Sequence, residues 1–95
     1  MSPDADPAEQ EPGRDEVLRR IRAHLATELE VDPDAVWEGT RFREDLEADS
    51  LDLVELTVEL EDAYGIRIPD DQAARILTVG QAADFVSAAL EGRDG

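Results

Sequence analysis

Apolar residues recur at helical spacing in three stretches of the chain. From Asp15 to Leu29, Val17, Leu18, Ile21, Leu25 and Leu29 fall on one side of a 3.6-residue wheel. Asp15 and Glu16 at its start suit the positive end of a helix dipole. From about Ser50 to Tyr64, Leu53, Leu56, Leu60 and Tyr64 make a second stripe, and Gly65 supplies a left-handed stop. After Thr78, a good N-cap residue, Val79, Ala82, Ala83, Val86 and Leu90 share one face, with Phe85 and Ala89 on its flank. Residues 30–49 read as a long connection. Asp32-Pro33 turns it, Gly39 relaxes it, and Val36, Phe42 and Leu46 are placed to pin it to a core. The segment "IRIPDDQAARIL" begins extended, because Pro69 biases Ile68 away from helix, and then offers a short helical turn near 70–76. No strand-like alternation persists and there is no internal repeat. The pattern predicts an all-α fold: a small four-helix bundle of three longer helices and one short one, with a long loop between the first and second.

The second helix has further faces. At about 100° per residue, Asp52, Glu55, Glu59 and Asp62 line up as an acidic stripe. Leu51, Val54 and Val58 form a second apolar strip, on the far side of the acids from the core stripe. Wheel geometry admits two readings. In one, the acids are solvated and the strip completes a broad buried face. In the other, apolar anchors and an acidic rim make a docking surface for a basic partner. Like charges at i, i+3 and i+4 cost a few tenths of a kcal/mol per pair. From Glu44 through Ile66 there are nine acids and no base, so the stripe is expected to stand uncompensated and its field to be useful.

Composition strengthens this picture. The 95 residues carry 25 acids against nine bases, all arginine, for a net charge of −16. Such a field disfavours nucleic acid and membrane insertion, favours basic protein surfaces, and opposes folding by self-repulsion, so low salt should loosen the domain. A chain this short buries only about 60% of its unfolded surface, which leaves little room for a deep catalytic pocket. The absence of cysteine excludes disulfides, a thiolate nucleophile and cysteine metal sites, and fits a reducing compartment. Residues 1–13, with Pro3, Pro7, Pro12 and four acids, are expected to form a disordered acidic tail. Residues 14–92 then form the folded domain and 93–95 a C-terminal tail. The N-terminal stretch lacks the apolar run of a signal peptide, and nothing later is long enough to span a membrane.

Candidate chemistry centres on "DLEADSLDLVEL", residues 45–56, where Ser50 sits among five acids. A serine nucleophile needs a base, and none is nearby. There is no G-x-S-x-G elbow, and His24, the only histidine, lies at the edge of the first helix's apolar face. An EF-hand reading fails too, since Ser50 replaces the sixth-position glycine and Leu56 the twelfth-position glutamate. Locally, Asp49 and Ser50 are helix-start residues, and Asp49 with Asp52 resembles a capping box.

The ordered set "FREDLEADSLDLVELTVELEDAYGIRIPDDQA", followed by "TVGQAADFV", resembles an acyl carrier protein over about residues 15–91. The resemblance implies that Ser50 is no nucleophile of the chain's own. A separate phosphopantetheinyl transferase attaches 4′-phosphopantetheine to it through a phosphodiester, which accounts both for the missing base and for a thioester carrier without cysteine. The new phosphate would sit near helix-start N–H groups favourable to anions, and the flanking acids would oppose that benefit, so the unloaded arm is expected to extend outward. By the same resemblance Leu51, Val54 and Val58 are apolar contacts for partner enzymes, with Asp49, Asp52, Glu55, Glu59, Glu61 and Asp62 as acidic contacts. Phe42, Leu56, Leu60, Ile68, Ile76 and Ala82 match positions lining an acyl-chain pocket, so acyl loading is expected to raise the melting temperature. The departures are Glu47 where glycine is frequent, Val58 where methionine is frequent, and Trp37, Arg43 and the 13-residue tail, which have no assigned role.

The function implied is a non-catalytic, monomeric, cytoplasmic carrier for fatty acid biosynthesis. Its partners would be the transferase, ketoacyl synthases, acyl transferases, reductases and dehydratases with basic patches, with no metal involved. A carrier for polyketide or other specialised pathways is the near alternative, and an unmodified acidic adaptor the alternative of another class. A small hydrolase fails for want of a base and an oxyanion arrangement.

Overall fold

The computed structural model describes residues 13–92. The tails proposed from the sequence, residues 1–13 and 93–95, lie outside these except for Gly13. Four helices are present among the described residues: α1 (Arg14–Leu29), α2 (Ser50–Tyr64), α3 (Asp70–Ala73) and α4 (Val79–Gly92). A single 3-10 turn, Pro33–Ala35, interrupts the long α1–α2 loop where Asp32 caps the Asp34 N–H at 2.9 Å. The only strand-like feature among the described residues is one isolated bridge between Arg41 and Thr78.

The three longer helices bury most of the face their sequence predicts, with Leu18, Leu29 and Leu53 only partly buried, while α3 buries no residue. Val17, Ile21 and Leu25 of α1, Leu56, Leu60 and Tyr64 of α2, and Val79, Ala82, Ala83, Val86 and Leu90 of α4 form one core. α1 packs most extensively against α4 and then against α2. Val36 and Phe42 pin the long loop as expected, while Leu46 is only partly buried against the core. Removing these side chains from water supplies the main driving force, about 25 cal/mol per Å² of apolar surface.

The long loop is held by α4. The Phe42 N–H donates to Leu77 O (3.1 Å), the Val79 N–H to Thr40 O (3.0 Å) and the Gly80 N–H to Glu38 O (2.9 Å). Gly80 is needed for that approach, because a Cβ there would meet Glu38 O at 3.0 Å. Arg14 closes the same corner, donating from Nε to Asp84 (2.6 Å) and from Nη2 to Glu38 (2.8 Å). This pairing holds the Glu38 carboxyl below its ordinary pKa. At the start of α4, Thr78 Oγ1 accepts from the Gln81 N–H, and Gln81 Oε1 accepts from the Leu77 and Thr78 N–H groups. Thr78 therefore caps α4 as its sequence predicts.

Candidate functional site

Ser50 opens α2. Asp49, the N-cap, accepts from the Asp52 N–H at 2.9 Å, and Asp52 in return accepts from the Asp49 N–H at 3.0 Å, completing the capping box. The Asp52 N–H bond is the main reason the Asp49 carboxyl lies below its ordinary pKa. α2 ends on Gly65 at φ 65°, in the left-handed conformation that glycine adopts without strain. The serine itself is exposed. Its hydroxyl accepts a hydrogen bond from Arg43 Nη2 at 3.3 Å. A guanidinium has no lone pair to take a proton, so this partner does not activate Ser50 as a nucleophile. His24 is a half-buried boundary residue lining a different groove, between α1 and α2, together with Glu28 and Glu59.

Beside Ser50 lies an apolar groove of about 420 Å³, within the range of about 300–1,000 Å³ typical of small-molecule sites. Phe42, Leu56, Leu60, Ile68, Ile76 and Ala82 all line it, as do Leu53 and Ala73. Ser50 and Arg43 belong to the same lining. The sequence pattern placed Leu53 in the core stripe, yet it is only half-buried and faces this opening.

The second apolar strip of α2 does not complete a buried face. Leu51, Val54 and Val58 are 63%, 56% and 47% exposed, which decides between the two readings of the wheel in favour of an uncovered surface. The acids beside them are more varied than the wheel suggested. Glu59 is not uncompensated: Arg20 of α1 donates to its Oε2 at 3.0 Å and also stands 5.5 Å from the Tyr64 ring. A base from another helix is invisible to a pattern read along one helix. Glu55 instead faces Glu28 of α1, and their mutual hydrogen bond and repulsion hold the Glu55 carboxyl above its ordinary value. Glu61, grouped with the docking acids by resemblance, turns to its own chain and accepts the Ile68 N–H at 2.7 Å, fixing the groove wall. Asp62 is exposed. No group of three or more metal-binding side chains occurs among the described residues.

A small helical domain that presents an unactivated, exposed serine at a helix start, next to an apolar groove and an uncovered apolar-acidic helix face, has the form of a carrier to which something is attached. The family model for the phosphopantetheine attachment site matches residues 19–86. The acyl carrier protein of Rubrobacter xylanophilus is 53% identical over 73 residues, covering 77% of this chain and 90% of its own length. That of Lactobacillus acidophilus is 46% identical over 72 residues, covering 76% and 90%. Among solved structures, the acyl carrier protein from Enterococcus faecalis superposes with a TM-score of 0.72 at 34% identity, covering 81% of this chain and 98% of that one. The chain belongs to the acyl carrier protein family, whose members are carriers, not catalysts, and hold 4′-phosphopantetheine covalently.

The residues present fit that group. The Ser50 hydroxyl is exposed, a guanidinium stands beside it to meet a phosphate, and an apolar groove adjoins it. Arg43 is one of the two loop residues, with Trp37, to which sequence reasoning gave no role. Its only signal there is being the last base before the long acidic run.

Proposed function

We propose that Ser50 Oγ is the attachment atom and that the chain carries acyl groups for fatty acid biosynthesis, passing them between separate enzymes. The observation that carries this reading is the exposed Ser50 at the first turn of α2, opening onto a groove lined by all six residues matched to an acyl pocket. When bound, the arm supplies the thiol that this cysteine-free chain lacks. The residues of the chain present, steer and shelter. Asp49 and Asp52 fix the helix start so that the hydroxyl faces outward, and the modifying transferase takes its proton, since the guanidinium cannot. Leu51, Val54 and Val58 offer an apolar contact for that transferase and for ketoacyl synthases, acyl transferases, reductases and dehydratases. Asp49, Asp52, Glu55, Glu59 and Asp62, with Glu61 from the groove side, draw their basic patches over a screening length of about 8 Å. A small contact with a charged rim favours fast arrival and fast release, as a monomeric cytoplasmic shuttle requires.

Intact mass after incubation with coenzyme A and a broad-specificity phosphopantetheinyl transferase tests the reading, with Ser50→Ala as control. The expected result is a gain of one phosphopantetheine by the wild type and none by the variant. A folded wild type that gains nothing with several transferases favours an unmodified adaptor.

A further inference from the structure

We propose that Arg43 is the phosphate anchor of the arm: its guanidinium, already on Ser50 Oγ at 3.3 Å, pairs with the phosphodiester formed there and turns the arm toward the groove. The inference rests on Ser50 being the attachment atom.

The helix start is poorly placed to hold the phosphate itself. Helix N-termini favour anions through free N–H groups, but here the capping box takes the Asp52 N–H for Asp49. Both carboxylates of the box add negative charge beside Ser50. A new anion at this point needs a cation from outside α2. Arg43 is the single base among the described residues lining the groove, and it is held in reserve. Arg14, Arg19, Arg20, Arg22 and Arg41 each have an acid within 4.0 Å, whereas Arg43 makes no such ion pair among the described residues, although its charge helps hold the Asp49 carboxyl low; Arg67 and Arg75 make none either, but neither lines the groove beside Ser50. Its backbone is fixed by two turn bonds, Glu47 N–H to Arg43 O and Ala48 N–H to Phe42 O, both 3.0 Å. Those bonds bring the guanidinium from seven residues upstream back to the serine. Arginine matches phosphate oxygens with a planar fork of donors, a geometry lysine does not reproduce. Anchoring on this side draws the first atoms of the arm over the groove mouth, in place of the outward arm that the flanking acids alone predict.

The test compares apo and loaded forms of the wild type, Arg43→Gln and Arg43→Lys, with loading verified by intact mass. A wild type that takes no arm at Ser50 defeats the attachment reading itself, and the mass shows this before any other result. In loaded wild type the Arg43 Nε–Hε resonance is expected to shift on modification, and the phosphodiester ³¹P resonance to move with added salt toward that of the same phosphodiester in urea-unfolded loaded protein. In loaded Arg43→Gln the ³¹P resonance should sit at the unfolded-chain phosphodiester position at all salt concentrations, with Arg43→Lys between. The rise in Tm from apo to loaded form at low salt should be larger in wild type than in Arg43→Gln by about 1–5 °C. Melting of the apo variants checks that this exposed substitution leaves the fold intact. A fully loaded wild type whose ³¹P resonance matches Arg43→Gln at low salt overturns the proposal.

Discussion

Glu47 holds its backbone at φ 56°, a left-handed conformation that costs a residue with a Cβ roughly 1–2 kcal/mol. Glycine escapes that cost and loses part of the gain as extra chain entropy in the unfolded state. Glu47→Gly should therefore stabilise the domain by about 0.5–1 kcal/mol, seen as a higher urea midpoint at unchanged slope. The family's frequent glycine at this position was legible in the sequence, but only as a missing charge-free residue; the backbone reason was not. It arises from the closure of the turn between Phe42 and Ala48, a contact between loop atoms that no side-chain pattern announces. Arg43 was opaque for the same reason, since its proximity to Ser50 is a product of that turn. Ser50 itself, Asp49 and Asp52 were readable because helix-start chemistry is local and is written in consecutive residues.

Among the elements, α2 shows most clearly what a wheel resolves. Its bounds, its cap and its stop follow from spacing within the helix, and the structure agrees, as it does for Leu56, Leu60 and Tyr64 of the core stripe but not for half-buried Leu53. What another helix brings to each face does not follow. α1 delivers Arg20 to Glu59 but Glu28 to Glu55, so neighbouring acids on one stripe have opposite surroundings. The sign for Glu55 is that of a group raised in the folded state. Its contribution is fully favourable below the ordinary value of 4.5 and is lost as pH rises through its raised value. Glu55→Gln should therefore raise Tm at pH 7 and flatten the rise in Tm that the wild type shows as pH falls from 7 toward 5, measured by circular dichroism melts across that range. Below the ordinary carboxyl values the trend should reverse in both proteins, because Glu38, Asp45 and Asp49, all held low in the folded state, then lose their bonds to Arg14, Arg41 and the Asp52 N–H.

For the whole molecule, a charge of −16 on 95 residues means that repulsion acts across the fold as well as between neighbours. At about 0.01 M salt the screening length is about 30 Å, as long as a small domain is wide, and at 0.1 M it shrinks to about 10 Å. Tm should climb with sodium chloride over that interval and then level, because the remaining attractions are short-range pairs and apolar contacts. A flat or falling curve would mean that the ion pairs of Arg14, Arg20 and Arg41 outweigh the global field. No helix among the described residues is long and apolar enough to cross a membrane. The fold rests on the core that α1, α2 and α4 share with Val36, Phe42, Ala48 and Ile68.

The bonds tying Glu38, Thr40 and Phe42 to residues 77–80 also impose an order in time. A ribosome making this chain completes Ser50 long before α4, yet the turn beside the serine is pinned by backbone that is synthesised afterwards. The loop that brings Arg43 to Ser50 is therefore pinned only when the last helix has emerged and folded back, so a half-made chain holds the serine without its full setting.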